Sequence, residues 1–516
     1  MKGVRRFVSV ILAVCLMLPL SAEAIQTKEG VQITILHTND THARLKAGDD
    51  FGKSMGWAQL VSAIRKEREM NPDALVLDAG DTFHGTPAVT VSRGENMIPL
   101  LNLAGYDAMC PGNHDFDYGS DRLVELADQL DFPVLCANVA DKHTGNLLFS
   151  PYKEFNLSGV RIAVFGLATP DTAVSASPTG LQKVDFLDPV KQTQWVVDRL
   201  RKDHDLVIGL MHMGVNHPSV YTSTLIAKKV KGIDVIIDGH SHTVLPVGIK
   251  EGNTLICQTG AYDWNLGEVT VTVKDHDVVK KSARLLDRNQ VAELAPVPDA
   301  VVLEEIRRMD ERNRTAFERV VGYSKRGLEY NREKLRTQET ELGDYVADAL
   351  KGVSGADIGF VNSGTIRAAL PTGNVTKKDV IDISPFGNTV KKVEVTGRQV
   401  MEMLEQGVSL YPGDAGRFLQ VSGASFVLDA SQPVGSRISH VEVNGRPLSL
   451  DGKYSVAVTD FMAAGGDGYT MLKDAPILGE YGLLDEVLAA WVQQGKEVRD
   501  IGTRIRILEA SGKKAA

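Results

Sequence analysis

The chain has 516 residues, more than one hydrophobic core usually organises, so two domains are expected. Apolar residues make up 43% and charged residues 24%, an ordinary balance for a soluble globular protein. The formal net charge is −9 with Lys and Arg scattered, which excludes a basic footprint for nucleic-acid polymers and disfavours docking to an anionic membrane surface.

The N-terminus reads as an export signal. Lys2, Arg5 and Arg6 precede the apolar run 7–20, too short to span a bilayer comfortably, and Ala22-Glu23-Ala24 supplies a small-x-small cleavage pattern. The mature chain is expected to begin near Ile25, in the periplasm or outside the cell; the competing reading keeps 1–24 as an uncleaved anchor. No later apolar run reaches spanning length. Removal of the leader leaves Cys110, Cys136 and Cys257, an odd and sparse set that reads as buried thiols and not as a disulfide framework. Cys110, three residues before Asn113, has metal ligation as its second reading.

The run 31–37 alternates and then turns apolar, which predicts a strand entering Thr38-Asn39-Asp40-Thr41-His42. Asp40 and His42 are two residues apart, so in extended backbone they point the same way and offer half of a metal site. A helix is predicted over 57–70, then a buried strand over 74–78 ending in Ala79-Gly80-Asp81, with His84 close behind and read as a surface residue in preference to a neighbour of the site. The stretch 104–110 predicts a helix end and a short buried strand. It leads into Pro111-Gly112-Asn113-His114-Asp115-Phe116-Asp117-Tyr118-Gly119. An Asn brings no charge, so beside stronger ligands it completes a coordination shell without adding negative charge, and the adjacent imidazole is left to face a substrate.

A helix is then predicted over 121–130, strands over 132–138 and 160–167, and an amphipathic helix to Arg201 opened by the capping carboxylate of Asp188. The strand 206–211 delivers His212, and the strand 234–237 delivers Asp238-Gly239-His240-Ser241-His242. Pro296 and Pro298 close the first part, and 299–320 predicts a charged amphipathic helix. Five strand exits thus carry Asp40 and His42, Asp81, Asn113 and His114, His212, and His240 and His242. Functional groups of layered α/β proteins gather at the carboxyl ends of strands. This inventory suits two divalent cations sharing one carboxylate.

In order and spacing these five motifs resemble the calcineurin-like metallophosphoesterases, in the periplasmic and secreted 5′-nucleotidase family that includes bacterial UDP-sugar hydrolases. Three later stretches resemble the substrate-domain signatures of that family: Asn362-Ser363-Gly364-Thr365-Ile366-Arg367, Ser384-Pro385-Phe386-Gly387-Asn388, and Phe461-Met462-Ala463-Ala464-Gly465-Gly466-Asp467-Gly468-Tyr469. The resemblance implies an α/β chain with a four-layer α/β/β/α sandwich over 25–298, a linker helix over 299–320 and a smaller α+β substrate-binding domain over 321–510.

It further implies that Asp40, His42, Asp81 and His242 hold one divalent ion and that Asp81, Asn113, His212 and His240 hold the other, with Zn, Mn, Co and Mg as candidates. Well-known members carry Gln or Asn where this chain has His242. An imidazole fills the same coordination place, which leaves the metal more open than the mechanism. His114, oriented by Asp117, would stabilise the transition state or protonate the leaving oxygen, with no covalent intermediate. Phe418 and Phe461 resemble the aromatic pair that sandwiches the base, worth roughly 1–3 kcal/mol per base. Asp467 would accept a hydrogen bond from the nucleoside and Asn362 joins the same set. Arg332, Arg336 and Arg367 would bind phosphate through their planar donor forks.

The expected activity is removal of phosphate from nucleoside 5′-phosphates, with nucleotide sugars or polyphosphates as further substrates. The expected partner is a small-molecule nucleotide, with no nucleic-acid polymer and no membrane after signal cleavage; base preference, phosphate-chain length and oligomeric state are not set by the sequence. The competing readings are a 2′,3′-cyclic-nucleotide 2′-phosphodiesterase/3′-nucleotidase on the same scaffold, a sulfur-compound hydrolase of the superfamily, and a nucleotide-binding protein without turnover.

Overall fold

The computed structural model describes residues 30–48, 53–172, 181, 183–215, 220–413, 415–497 and 502–508; the export signal read over 1–24 lies outside them. Two sheets organise the first half. One has the strand order Asp277–Asp287, Asn265–Lys274, Val31–Thr38, Leu75–Asp78, Ala108–Met109. The other runs Ile249–Glu251, Thr254–Cys257, Val235–Ile237, Leu206–His212, Val160–Ala168, Tyr152–Leu157.

Side chains alternate along each strand, so each sheet has two buried faces to cover. Ile33, Ile35, Leu75 and Leu77 pack directly against Ile162, Val164, Ile208, Leu210 and Ile237 of the facing sheet. On the outer face of the first sheet, Leu36, Val76 and Met109 meet the helices Trp57–Met70 and Ile98–Ala104. On the outer face of the second, Ala163, Phe165, Val207 and Ile236 meet the helices Pro189–Leu200 and Ser223–Lys229. The result is the four-layer α/β/β/α arrangement.

The parallel pairings determine where loops leave. Thr38 pairs with Asp78 and Asp78 with Met109, while Ala168 pairs with His212 and Leu210 with Ile237. These six parallel strands therefore end at one edge of the sandwich, and the exit loops of five of them carry the candidate ligands.

Helix boundaries follow local chemistry closely. Asp188 caps its helix by accepting from Lys191 N at 3.0 Å, and Asp299 caps the helix Ala300–Phe317 by accepting from Val301 N at 2.9 Å. Two expectations are corrected. The stretch 132–138 forms no ladder strand: only the isolated bridges Met109–Val134 and Leu135–Ser150 involve it. The linker helix expected over 299–320 spans only Ala300–Phe317, and it docks on the first half, burying Val302, Ile306 and Met309 in the same cluster as Trp57 and Leu60. Asn313 adds a hydrogen bond to Ala88 O at 2.7 Å. A strand begins at Val320, just past its end.

The second half holds a five-stranded sheet in the order Leu419–Ser422, Ile358–Asn362, Lys453–Thr459, Thr389–Thr396, Ile477–Leu483 and a four-stranded sheet containing Ala424–Asp429 and Ile505–Leu508. The helices Glu341–Ser354 and Leu484–Gln493 cover one face of the larger sheet and Gly397–Gly407 lies against the other cluster. No helix among the described residues is long and apolar enough to cross a membrane.

Candidate functional site

The converging loops are bent sharply and held by buried carboxylates. Asp40, His42, Asp81, His240 and His242 all adopt positive φ, between 46° and 78°. Non-glycine residues rarely do so, and such strain is concentrated where surrounding structure enforces it. Asp115 does part of this enforcement, accepting from the backbone N–H of Asp81, Thr82 and Phe83 at 2.9 Å each and of Gly112 at 2.8 Å. Asp78 accepts from Thr38 Oγ1 and Thr82 Oγ1 at 2.7 Å, and Asp238 accepts from Met213 N at 3.0 Å and Ser223 Oγ at 2.6 Å. Gly112 is needed for close approach: a Cβ there would lie 2.1 Å from Asp81 Oδ1.

Inside this frame the candidate ligands meet. Asp81 Oδ2 lies 3.3 Å from His212 Nε2 and 3.7 Å from His42 Nε2. Asp40 Oδ1 lies 3.4 Å from His242 Nε2 and 3.8 Å from His212 Nε2. The Nε2 atoms of His42 and His242 face each other at 3.2 Å. Asn113 Oδ1 meets His240 Nδ1 at 2.8 Å, and His240 N donates to Asp40 Oδ2 at 3.0 Å. His212 is fully buried. Its Nδ1 is tied to Ala79 O at 2.6 Å, while Nε2 points between the two carboxylates and makes no hydrogen bond among the described residues.

Two carboxylates and several ring nitrogens aimed at one small volume are the donor set of a divalent-cation centre, and spacings of 3.2–3.8 Å between potential ligand atoms suit ions placed among them. Asp40, His42 and His242 form one such group, and Asp40, Asp81 and His212 another. The electrostatics agree. Burial alone would raise the Asp81 carboxyl, but His212, His114 and His42 hold it well below the usual carboxylate range. Burial would lower His212, yet Asp81 and Asp40 raise it to about 10, so in the ion-free protein a proton stands where a cation would. Burial keeps His42 well below its usual value against the pull of Asp81.

His114 sits at the edge of this cluster, its backbone N donating to Asp81 Oδ1 at 2.8 Å. Its ring Nδ1 is 2.8 Å from Asp117 Oδ2. Burial opposes protonation of this ring, but Asp117, then Asp81 and Glu480, raise it to about 10. His84 is corrected from a surface residue to a buried one, 1% exposed and stacked on His114. Cys110 joins none of the candidate ligand groups among the described residues, and burial pushes its thiol well above the usual range, as it does for Cys136 and Cys257.

Two residues of the second half complete the neighbourhood and carried no recognisable motif. Glu480 Oε2 lies 3.3 Å from His114 Nε2, and Lys391 Nζ lies 2.6 Å from Glu480 Oε1. Both come from adjacent strands of one sheet, so neither is legible without the pairing of Lys391 with Glu480. Arg44 reaches across as well, donating to Phe386 O at 3.2 Å.

The expected substrate contacts all lie in the second half. Asn362 Nδ2 donates to Asp467 Oδ2 at 2.8 Å, and Ser363 N donates to Phe418 O at 2.8 Å. The Phe461 ring lies over Gly466, where a Cβ would come within 2.5 Å of it. Phe418 is buried among core residues such as Met403 and Leu404, whereas Phe461 is partly buried against the same cluster. Arg367 lies over the Phe386 ring at 5.0 Å, Arg332 lines an open cavity with Thr337 and Pro412, and Arg336 is buried.

Comparison with known proteins places this geometry in a family. The calcineurin-like phosphoesterase family matches residues 33–244, and the 5′-nucleotidase C-terminal domain matches 320–474. A 5′-nucleotidase of Vibrio cholerae is 30% identical over 520 residues, covering 90% of this chain and 91% of that protein. The trifunctional nucleotide phosphoesterase protein YfkN of Bacillus subtilis is 33% identical over 509 residues, 89% of this chain, but the match spans only 33% of that longer protein. Among solved structures, a 5′-nucleotidase precursor of Thermus thermophilus is 30% identical with a TM-score of 0.55, covering 93% of this chain and 100% of that one. The NAD nucleotidase NadN of Haemophilus influenzae shares the fold with a TM-score of 0.72 at 22% identity, over 93% and 100% of the two chains.

Proposed function

The chain belongs to the 5′-nucleotidase family, and from that premise we propose that it is an exported two-metal phosphohydrolase acting on nucleoside 5′-phosphates, with nucleotide sugars and polyphosphates as further substrates. The observation that carries the reading is the convergence of Asp40, His42, Asp81, His212 and His242 on one volume beside the His114–Asp117 pair. Asp40, His42, Asp81 and His242 are assigned to one cation and Asp81, Asn113, His212 and His240 to the other. Asp81 is assigned as the shared ligand; one of its oxygens, Oδ2, lies 3.7 Å from His42 Nε2 and 3.3 Å from His212 Nε2. Bound divalent cations would activate water and neutralise phosphate charge.

The chain's own groups supply the remainder. Water's oxygen replaces the nucleoside oxygen on phosphorus, and His114 gives its proton to the departing alkoxide, which leaves as a neutral hydroxyl; of the water's two protons one stays on the phosphate and the other restores that of His114. Asp117 keeps Nδ1 protonated, so that Nε2 is the atom presented to the leaving group. Glu480 now lies against that Nε2, so substrate has to displace it. We assign the first half, 25–298, to catalysis and 321–510 to recognition, with the helix from 299 riding on the first half and the pivot at its C-terminal end, near Arg319. Phe418, Phe461, Asn362 and Asp467 would take the nucleoside, and Arg332, Arg336 and Arg367 the phosphates. The leader pattern at 7–24 supports export.

The test is product mapping with 5′-AMP, 3′-AMP, 2′,3′-cyclic AMP and a nucleotide sugar after chelation and reloading with Zn, Mn, Co or Mg. Phosphate released chiefly from 5′-AMP supports the proposal. Preference for 3′-AMP and the cyclic nucleotide would move the assignment to the phosphodiesterase/3′-nucleotidase reading, and no release with any metal would leave only a binding role.

A further inference from the structure

His84 has no part in the chemistry described so far, yet it is enclosed by it. The side chain is 1% exposed. Its ring stacks on His114 with centroids 5.6 Å apart and planes 12° apart, and its other neighbour is the Tyr118 ring at 5.4 Å. Its Nε2 lies 3.6 Å from Asp117 Oδ2, the same oxygen that meets His114 Nδ1 at 2.8 Å. Neither ring nitrogen makes a hydrogen bond among the described residues.

Enclosing an imidazole with both nitrogens unsatisfied is costly, and an apolar side chain would fill the same space without that cost. A polar ring there is explained by the polar atom it approaches. The separation from Asp117 exceeds a made hydrogen bond, but catalytic contacts are often long before substrate binds and tighten afterwards. Burial also holds His84 below its usual range, in the neutral form, so it offers one N–H to Asp117 without setting a second positive charge against His114.

We propose that His84 is a positioning residue for the leaving-group acid: its Nε2–H holds the Asp117 carboxylate so that Oδ2 faces His114 Nδ1, and its stacked ring fixes the plane of His114. The inference rests on the reading of His114 as the acid that protonates the departing oxygen.

The experiment compares two substrates with the same phosphoryl group, AMP, whose alkoxide needs a proton, and 4-nitrophenyl phosphate, whose phenolate does not. His84→Phe keeps ring and volume but removes the donor; His84→Gln keeps a donor; His84→Leu replaces the Phe variant should that one not fold. For the donor-free variant, kcat/KM for AMP should fall by about tenfold, part of the 10²–10⁴ that a general acid supplies, with kcat and not KM carrying the change. The aryl phosphate should be affected by less than about twofold, with parental metal content, and His84→Gln should recover most of the loss on AMP. Equal losses on both substrates, loss of metal, or no change on AMP would each overturn the proposal. His114→Asn is measured alongside. If it too fails to discriminate between the substrates, the reading of His114 is wrong and this inference falls with it. If it discriminates and His84→Phe does not, only the role of His84 is lost.

Discussion

Gly112→Ala isolates the geometry of the shared carboxylate from its chemistry. No proposed ligand is replaced, and Gly112 does not lie in the left-handed region, so alanine meets no backbone strain. The added methyl, however, would lie 2.1 Å from Asp81 Oδ1 and 2.5 Å from Asp81 N. Rotating the carboxylate cannot relieve the second contact, because it is to backbone. Asp81 must therefore retreat by about 1 Å, a displacement that can cost about 10²-fold in rate when reacting groups are positioned to this tolerance. The hydrogen bond from His114 N to Asp81 Oδ1, 2.8 Å, would be disturbed at the same time. We expect kcat/KM for AMP to fall by about 10²-fold and folding stability to fall by about 1–3 kcal/mol, the usual range for overpacking. The assay is phosphate release under saturating metal, with metal content measured by elemental analysis after gel filtration and stability by denaturant unfolding. A variant with parental kcat/KM and two metals per chain would refute the claim that this loop contact positions Asp81.

Asp81→Ala should leave the protein unable to retain either ion through gel filtration, whereas His42→Ala should lose one; two ions per chain in Asp81→Ala would refute the shared position. Metal binding should release a proton, because Asp81 and Asp40 hold His212 raised to about 10 in the ion-free protein. Affinity should then weaken by about tenfold per pH unit for each proton released as pH is lowered, and calorimetric heats should differ between buffers of unlike ionisation enthalpy; buffer-independent heats would contradict it. Asp117→Asn removes the largest of the charges that raise His114 against burial, so its protonated form should be lost at lower pH and the alkaline limb of kcat/KM should move down; an unmoved limb would assign it to another group. Residues 25–320 alone should bind two metals and cleave 4-nitrophenyl phosphate but lose most preference for AMP, and an unchanged ratio of the two kcat/KM values would sink the assignment of recognition to the second half.

The five strand exits were legible because a buried strand and its polar exit are local patterns: alternation and apolar runs mark 31–37, 74–78, the end of 104–110, 206–211 and 234–237, and the polar or imidazole residues follow within a few positions. Helix starts at Asp188 and Asp299 were equally local, since a cap uses only the next turn. Beyond that, non-local packing decided. Residues 132–138 have strand-like composition, but their neighbours leave them only isolated bridges. The helix Ala300–Phe317 was legible as charged and amphipathic, but only packing shows that Val302, Ile306 and Met309 join the apolar cluster around Trp57. The positive φ of Asp81 is held by Asp115 from another loop, a contact that local sequence does not show. His84, Lys391 and Glu480 belong to the site only because sheet pairing and the docking of the two halves bring them to His114 and Asp117. Local spacing determined which ligand chemistry the chain carries; burial, a property of surfaces distant in sequence, decided which polar groups meet it.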